Sequence, residues 1–260
     1  MTRDYLWLNL RDLPYFRAML RAVEGRLLQQ VTLPPPVLDL GSGDGHFASV
    51  TFTQLLDLGV DPALKPTREA KRRGAYRLLV QADGAKLPCA DNSFGSAVSN
   101  SVLEHVDRLE DVLAEIWRVL QPGARLAFTV PNPKYRTHLS VPQFLRRLGL
   151  NRLAITYEDW FMRVTRTKNL LDETGWKGVL EPLGFEVERV QSYFSPNALR
   201  ALEWGHFFGV PCLLPRWITG RWILVPTRSN LWLTDRLVRR YYNDRPSKEG
   251  TYSFYLARKR

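Results

Sequence analysis

The first half of the chain alternates between two hydrophobic patterns. Short apolar runs suited to buried strands recur, and between them apolar residues fall three and four positions apart, as on one face of a helix. Val37-Leu38-Asp39-Leu40 is the first such run. Residues 54–60, 77–82, 96–99 and 125–130 are predicted as the next strands. The helical spacing is clearest over 107–120, where Leu109, Val112, Leu113, Ile116, Val119 and Leu120 share a face and Gln121-Pro122-Gly123 stops the run. Residues 11–29 form a second predicted helix, with Leu13, Phe16, Leu20, Val23 and Leu27 as its apolar face and Asp12 and Pro14 as start signals. Ahead of it, Tyr5-Leu6-Trp7-Leu8 is apolar enough to pack against the domain or to cover a ligand. Strands alternating with helices at this spacing predict a parallel, doubly wound α/β sheet.

Beyond residue 133 the alternation breaks. Residues 175–183 are predicted as a short helix, 185–194 as a strand and 251–257 as a closing strand. The segments 134–170 and 195–249 interrupt that ending and read as insertions. The net charge of +11 lies in these two segments, with eight Lys/Arg against two acids in the first, nine against four in the second, and 20 against 20 elsewhere. Residues 195–249 also hold Trp204, Trp217, Trp222 and Trp232, half of the eight tryptophans. Arg216, Arg221 and the prolines among their apolar neighbours do not suit a spanning helix. Trp and Arg mixed with aliphatic residues fit a membrane interface, a hydrophobic acceptor pocket, or a cap with its own small core.

Two cysteines, Cys89 and Cys212, cannot build a disulfide framework, and no Cys/His or carboxylate cluster has metal-ligand spacing, so no metal is expected. The opening residues Met1-Thr2-Arg3-Asp4-Tyr5 lack the apolar stretch of a secretory signal. A cytoplasmic protein, membrane-associated through its basic segments, is the expectation.

The chemistry gathers after the first strand. Gly41, Gly43 and Gly45 stand at every second position before Phe47-Ala48-Ser49-Val50, which can open a helix. A glycine turn between strand and helix lets the backbone approach a ligand with no Cβ in the way. In open α/β sheets ligands bind beyond the carboxyl ends of the strands. Asp61, Asp83 and Asn100 all fall at such ends. A nicotinamide dinucleotide fold would want a glycine at position 46, where this chain has His46.

Four further stretches follow the glycine turn in order: Gly59-Val60-Asp61; Asp83-Gly84-Ala85-Lys86-Leu87-Pro88 with Asp91-Asn92-Ser93-Phe94; Val102-Leu103-Glu104-His105; and Leu120-Gln121-Pro122-Gly123. With these residues the chain resembles the class I S-adenosylmethionine-dependent methyltransferases, in particular their small-molecule and lipid methylases. The resemblance is close over 35–133 and topological over 171–194 and 250–260. It implies a doubly wound, Rossmann-like α/β sheet of seven strands, the last antiparallel and inserted beside the sixth. An N-terminal helical lead-in at 1–33 would precede a methyltransferase domain at 34–260, whose insertions at 134–170 and 195–249 form a cap on the acceptor side.

The resemblance also implies S-adenosylmethionine as cofactor. Gly41, Ser42, Gly43 and Gly45 would lie against its methionine end and ribose, with Asp39 orienting that loop or meeting the amino group. Asp61 would accept both ribose hydroxyls, Asp83 and Gly84 would meet the adenine, and Asn100 would lie near the amino end. Methyl transfer requires alignment first, and a base only where the acceptor must lose a proton. His105 is the candidate base, with a packing or helix-start role as the alternative. Tyr135, His138, Tyr157, Trp160 and His206 are candidates for touching the acceptor, and His46 for supporting the glycine turn. The expected acceptor is a hydrophobic or anionic small molecule, lipid-like in character, with peripheral membrane contact through 195–249. RNA methylation and a non-catalytic cofactor-fold protein at a membrane surface are the alternatives. Nucleic acid is disfavoured, because the basic segments are rich in Leu, Ile and Phe and carry no recognisable RNA-binding module.

Overall fold

The computed structural model describes residues 3–260; Met1 and Thr2, part of the stretch read for a signal, lie outside them. Two helices lead in, α1 (Tyr5–Leu10) and α2 (Tyr15–Leu28). The Asp4 carboxylate caps α1 by accepting from the Trp7 N–H at 3.2 Å. Tyr5, Leu6 and Leu10 are buried, so this stretch packs on the domain. α2 starts at Tyr15, because Asp12 is drawn away to His46 Nε2 at 3.3 Å and Pro14 takes the capping position.

The alternating half then runs β1 (Val37–Leu40), α3 (His46–Thr51), β2 (Leu56–Asp61), α4 (Leu64–Arg73), β3 (Tyr76–Gln81), β4 (Phe94–Asn100), α5 (Leu109–Val119) and β5 (Leu120–Pro131). The first insertion is three helices, α6 (Pro133–Thr137), α7 (Ser140–Arg147) and α8 (Asn151–Thr165). α9 (Glu173–Leu180) and β6 (Phe185–Tyr193) follow. The second insertion is again helical, with α10 (Pro196–Phe208), α11 (Leu213–Thr219) and α12 (Arg228–Tyr242), before β7 (Tyr252–Lys259) closes the chain.

The strands form one seven-stranded sheet in the order β3-β2-β1-β4-β5-β7-β6. β7 runs antiparallel to β5 and β6, and the pairs among β1 to β5 are parallel. This is the doubly wound sheet with an antiparallel last strand that the resemblance implied. Leu40 pairs with Val60, and Asp61 with Gln81, which brings the ends of β1, β2 and β3 to one edge.

Period-two alternation assigns each strand residue to a face. Val98, Ala127, Phe254 and Leu256 enter one core with α1, α2, α10 and α12; Ala97, Leu126, Phe128, Tyr255 and Ala257 enter the other with α5 and α9. In the second core Phe128 stacks on Tyr255 with ring centroids 4.8 Å apart, and Trp176 tilts against both. Each fully buried Leu or Met in either core is worth about 1.5–3 kcal/mol. One boundary departs from the sequence reading. Gln121-Pro122-Gly123 ends the helix but falls inside β5, since Leu120 already pairs with Phe94 and a register shift before Ser96 absorbs the turn.

Candidate active site: two cavities at the carboxyl edge of the sheet

The ends of β1 to β4 open on a crevice of about 500 Å³, with Gly41, Asp61, Asp83, Gly84, Val102 and His105 in its walls. Gly41 begins the glycine turn at one side of it, and Gly41, Gly43 and Gly45 all have positive φ. The N–H groups of Gly41 and Ser42 both donate to the Val60 carbonyl, at 2.8 and 3.0 Å. A Cβ on Gly41 would stand 2.3 Å from a Val102 methyl, so the turn packs tightly on the loop after β4. A Cβ on Gly43 would instead meet only the Gly41 carbonyl, at 4.0 Å, which leaves room above that residue.

Asp61 fastens the turn. Its Oδ2 accepts from the Gly43 N–H at 3.0 Å and its Oδ1 from the Ala63 N–H at 2.9 Å, leaving lone pairs on both oxygens. Asp39 is buried beneath and accepts from the Tyr76 hydroxyl at 2.6 Å, while that hydroxyl also reaches the Ser42 carbonyl at 3.5 Å. Burial pushes the Asp39 carboxyl up to about 6, against the Tyr76 hydrogen bond and with help from the Asp61 charge. Of the two roles implied for Asp39, orienting the loop is the one that fits these contacts. Asp83 is exposed, and both its oxygens are engaged: one accepts from the Ala85 N–H at 2.9 Å, the other pairs with Arg108 at 2.7 Å. The Ala85 N–H and Arg108 hold that carboxyl below its ordinary value.

A second cavity, of about 380 Å³, lies beyond β4 under the insertions. Asn100 lines it, but its amide donates to Glu24 Oε2 at 2.9 Å and its oxygen accepts from the Thr129 hydroxyl at 3.1 Å. Glu24 is fully buried on α2 and also accepts from the Ser101 and Tyr193 hydroxyls, at 2.8 and 3.0 Å. Burial raises its carboxyl, opposed by these hydrogen bonds and by Arg21. Glu104 lines the same cavity; its Oε2 is buried and has no partner among the described residues. Burial raises its carboxyl well above the ordinary value, and Glu24 adds to the rise.

His105 belongs to the walls of both cavities. Its Nδ1 lies 3.0 Å from the Arg166 carbonyl, which assigns the proton to Nδ1 and leaves the lone pair on Nε2. Burial, with the charges of Arg166 and Lys168, holds the imidazole below its ordinary 6.5. A neutral imidazole that keeps its Nε2 lone pair, here 3.8 Å from Glu104 Oε1, is what a general base needs.

The other aromatic and histidine candidates divide. Tyr135 and His206 line the second cavity. Tyr135 is buried edge-on to Tyr252 at 5.4 Å, and His206 donates from Nδ1 to the Leu202 carbonyl at 2.9 Å beside the Phe16 ring. His138, Tyr157 and Trp160 do not reach the cavity. His138 turns back to the Lys134 carbonyl at 3.1 Å and towards Glu249 at 3.8 Å. On α8 the inward face is Ala154, Glu158, Phe161 and Met162, so Tyr157 and Trp160 fall on its flanks. Tyr157 stacks on Phe161, and Trp160 stacks on Phe207 near the surface. His46 is buried against Asp12 at the start of α3, in keeping with support of the turn.

Four cavity residues escaped the sequence reading: Arg17, Arg21, Glu24 and Glu104. The first three recur one turn apart on α2 beside Phe16 and Leu20, which also line the cavity. The helix buries Ala18, Met19, Ala22 and Val23 instead. A charged row flanking apolar residues on a lead-in helix was the available signal.

Residues 38–128 match the family model described as a methyltransferase domain. A malonyl-[acyl-carrier protein] O-methyltransferase of Methylococcus capsulatus is 38% identical over 104 residues, covering 37% of this chain and 38% of that protein. A ubiquinone/menaquinone biosynthesis C-methyltransferase of Desulfotalea psychrophila is 37% identical over 125 residues, covering 45% and 50%. The chain thus spans half or less of the length of these relatives. A solved S-adenosylmethionine-dependent methyltransferase from Thermotoga maritima, titled a possible histamine N-methyltransferase, superposes with a TM-score of 0.59 at 17% identity, covering 94% of this chain and 91% of that one. Strand order and glycine turn agree with these matches: residues 38–128 resemble a methyltransferase domain, and the sheet has the fold of the solved S-adenosylmethionine-dependent methyltransferase.

Proposed function

We propose that the protein methylates a hydrophobic or amphipathic small molecule, lipid-like in character, held in the second cavity while S-adenosylmethionine occupies the crevice. The observation that carries this reading is the shared wall. His105 stands where the two cavities meet, with its Nε2 lone pair unprotonated at neutral pH.

The crevice suits the cofactor on its own evidence. There is room above Gly43, both Asp61 oxygens keep lone pairs for ribose hydroxyls, and the buried Ser42 hydroxyl has no partner among the described residues. S-adenosylmethionine, when bound, supplies a methyl group on a sulfonium for in-line displacement by the acceptor atom. The protein's task is to align that acceptor and to take a proton where one must leave. Asp61 and the glycine turn would hold the ribose and methionine ends, and Gly84 with Ala85 would offer backbone to the adenine. Arg21 is a suitable partner for the cofactor's carboxylate. Its guanidinium stands 5.9 Å from the centroid of the Phe47 ring, in α3 just beyond the glycine turn, and its charge leads the interactions that hold the Asp44 carboxyl low against burial. His105 Nε2 would accept the acceptor's proton.

The cavity's far wall favours an apolar acceptor. Val210, Leu213 and Trp222 of the second insertion line it, along with Phe16, Leu20 and Leu202. Residues of that same insertion point outwards: Trp217 is 84% exposed, Phe208 68% and Ile218 65%. Arg221, Arg228 and Arg236 are exposed among them. Exposed Trp and aliphatic residues with arginines favour peripheral contact with an anionic membrane. Among the described residues no helix is long and apolar enough to cross one.

The test is transfer of label from methyl-tritiated S-adenosylmethionine into lipid, quinone and glycolipid extracts. Label in an organic-phase product that requires Asp61 supports the reading. Label in RNA, or in no extract, contradicts it.

A further inference from the structure

Arg17 and Arg21 stand one turn apart on α2 and both line the second cavity. Neither guanidinium has an ion pair or hydrogen bond among the described residues; Asp44 acts on both only through its charge, and burial favours the neutral form of Glu104, the acid with an unpartnered oxygen in the same cavity. Asp12 pairs with His46, and Asp44 reaches Arg73 at 3.9 Å. Glu24 takes Asn100, Ser101 and Tyr193, and Glu203 takes the N–H and hydroxyl of Ser140. Arg216 lies on the same side and is answered by Glu69 at 3.1 Å. Like charges at this helical spacing repel, more so in a cavity of low dielectric. Burial first, then Arg21, bring Arg17 down to about 10, which leaves it charged at neutral pH.

Two cations facing one cavity, neither with a direct ion pair among the described residues, suit two anionic groups. The cofactor brings a single carboxylate, and Arg21 is the arginine at the glycine turn. Arg17 lies towards the cap, its guanidinium 5.8 Å from the Trp222 ring, which Arg216 approaches from its own side at 5.6 Å. Around it the walls are apolar, formed by Phe16, Leu20, Leu202, Val210 and Leu213. We propose that Arg17 selects the acceptor by binding an acidic group, carboxylate or phosphate, carried on an apolar body. This rests on the methyltransferase reading above and narrows its acceptor to acidic amphiphiles.

The experiment is calorimetry of the full chain, with and without saturating S-adenosylhomocysteine, against dodecyl phosphate, dodecanoate, dodecanol and inorganic phosphate. Both acidic amphiphiles should bind about tenfold or more tightly than dodecanol or inorganic phosphate. Arg17→Gln should remove that preference, with dodecanol and S-adenosylhomocysteine affinities unchanged, and Arg17→Lys should keep part of it. Arg21→Gln should do the reverse, weakening S-adenosylhomocysteine by about tenfold. Equal binding of dodecanol and dodecyl phosphate by the wild type overturns the proposal. So does an Arg17→Gln protein that loses S-adenosylhomocysteine but keeps the acidic preference, since Arg17 would then serve the cofactor. Inorganic phosphate binding as tightly as dodecyl phosphate overturns the apolar half. If Arg17→Gln does not fold, the wild-type preference and Arg17→Lys decide. A wild type that binds dodecyl phosphate but not S-adenosylhomocysteine leaves the Arg17 site standing and removes the cofactor reading instead.

Discussion

The two cavities share one histidine and are built in opposite ways. Apart from Arg166, the crevice takes its walls from loops after β1 to β4 and the start of α5, within residues 40–112. The second cavity collects residues from α2, the loops after β4 and β5, α8, the first half of the second insertion and β7. The crevice is a consequence of sheet topology, because any residue at the end of a parallel strand arrives at that edge. The second cavity depends on which insertion covers which face of a lead-in helix. A site of the first kind is rigid and general, whereas one of the second kind carries specificity.

Removing the group on the boundary should have the largest effect. His105→Ala should lower kcat about 10²- to 10⁴-fold if the base is used, with S-adenosylhomocysteine affinity unchanged. Because the folded-state pKa lies below 6.5, wild-type kcat should be flat above that pH and fall on its acid side. A kcat that survives the substitution would reduce His105 to packing and leave the cavities joined only by position.

Next in size is a change confined to the crevice. Asp61→Ala should cost about 2–4 kcal/mol of cofactor affinity, since a charged acceptor and the fastening of Gly43 are both lost. Calorimetry on the folded variant checks this, and an unchanged dissociation constant would detach Asp61 from the cofactor.

A change confined to the cap should leave the crevice untouched. Reversing Arg221, Arg228 and Arg236 to Glu should abolish flotation with anionic vesicles, at about 1 kcal/mol per lost cation before the repulsion is counted. Arg216 is left out because it already answers Glu69. Wild-type binding should weaken with salt, and Trp217 fluorescence should shift to the blue on contact. Equal flotation with neutral and anionic vesicles would remove the membrane contact while keeping the acceptor cavity.

The smallest effect falls on the glycine turn at the side of the crevice. Gly41→Ala places a Cβ at positive φ and 2.3 Å from Val102, and should lower stability by at least about 1–2 kcal/mol. Thermal unfolding measures it; wild-type stability would mean that the turn is looser than its contacts.

This contrast also explains what was legible in the sequence. Strand periodicity located the ends of β1, β2 and β4, so Gly41, Asp61 and Asn100 were visible from spacing and reach the edge together. The α/β class was visible in the same way, and 185–194 and 251–257 could be read as strands, but that the last strand runs antiparallel came from the resemblance, because its pairing with β5 and β6 joins residues far apart in the chain. α2 misled for a physical reason. Phe16 and Leu20 have helical spacing and read as core, and Arg17 and Arg21 drew no reading at all. Ala18, Met19 and Ala22 are fully buried instead, and the second insertion folds over the side bearing Phe16 and Arg17. His138 and Trp160 misled because a residue type inside an insertion does not say which flank of its helix faces inwards. Asn100 ends β4 as read, but its buried partner Glu24 lies 76 residues away, beyond any local pattern.

The central claim is that crevice and cavity form one reaction site meeting at His105. A crystal structure with S-adenosylhomocysteine and dodecyl phosphate tests it most directly. The account predicts the ribose at Asp61, the amino-acid carboxylate at Arg21, the phosphate at Arg17, and the sulfur atom open to the second cavity beside His105. A sulfur atom turned away from His105, or a dodecyl phosphate outside the cavity, would contradict it.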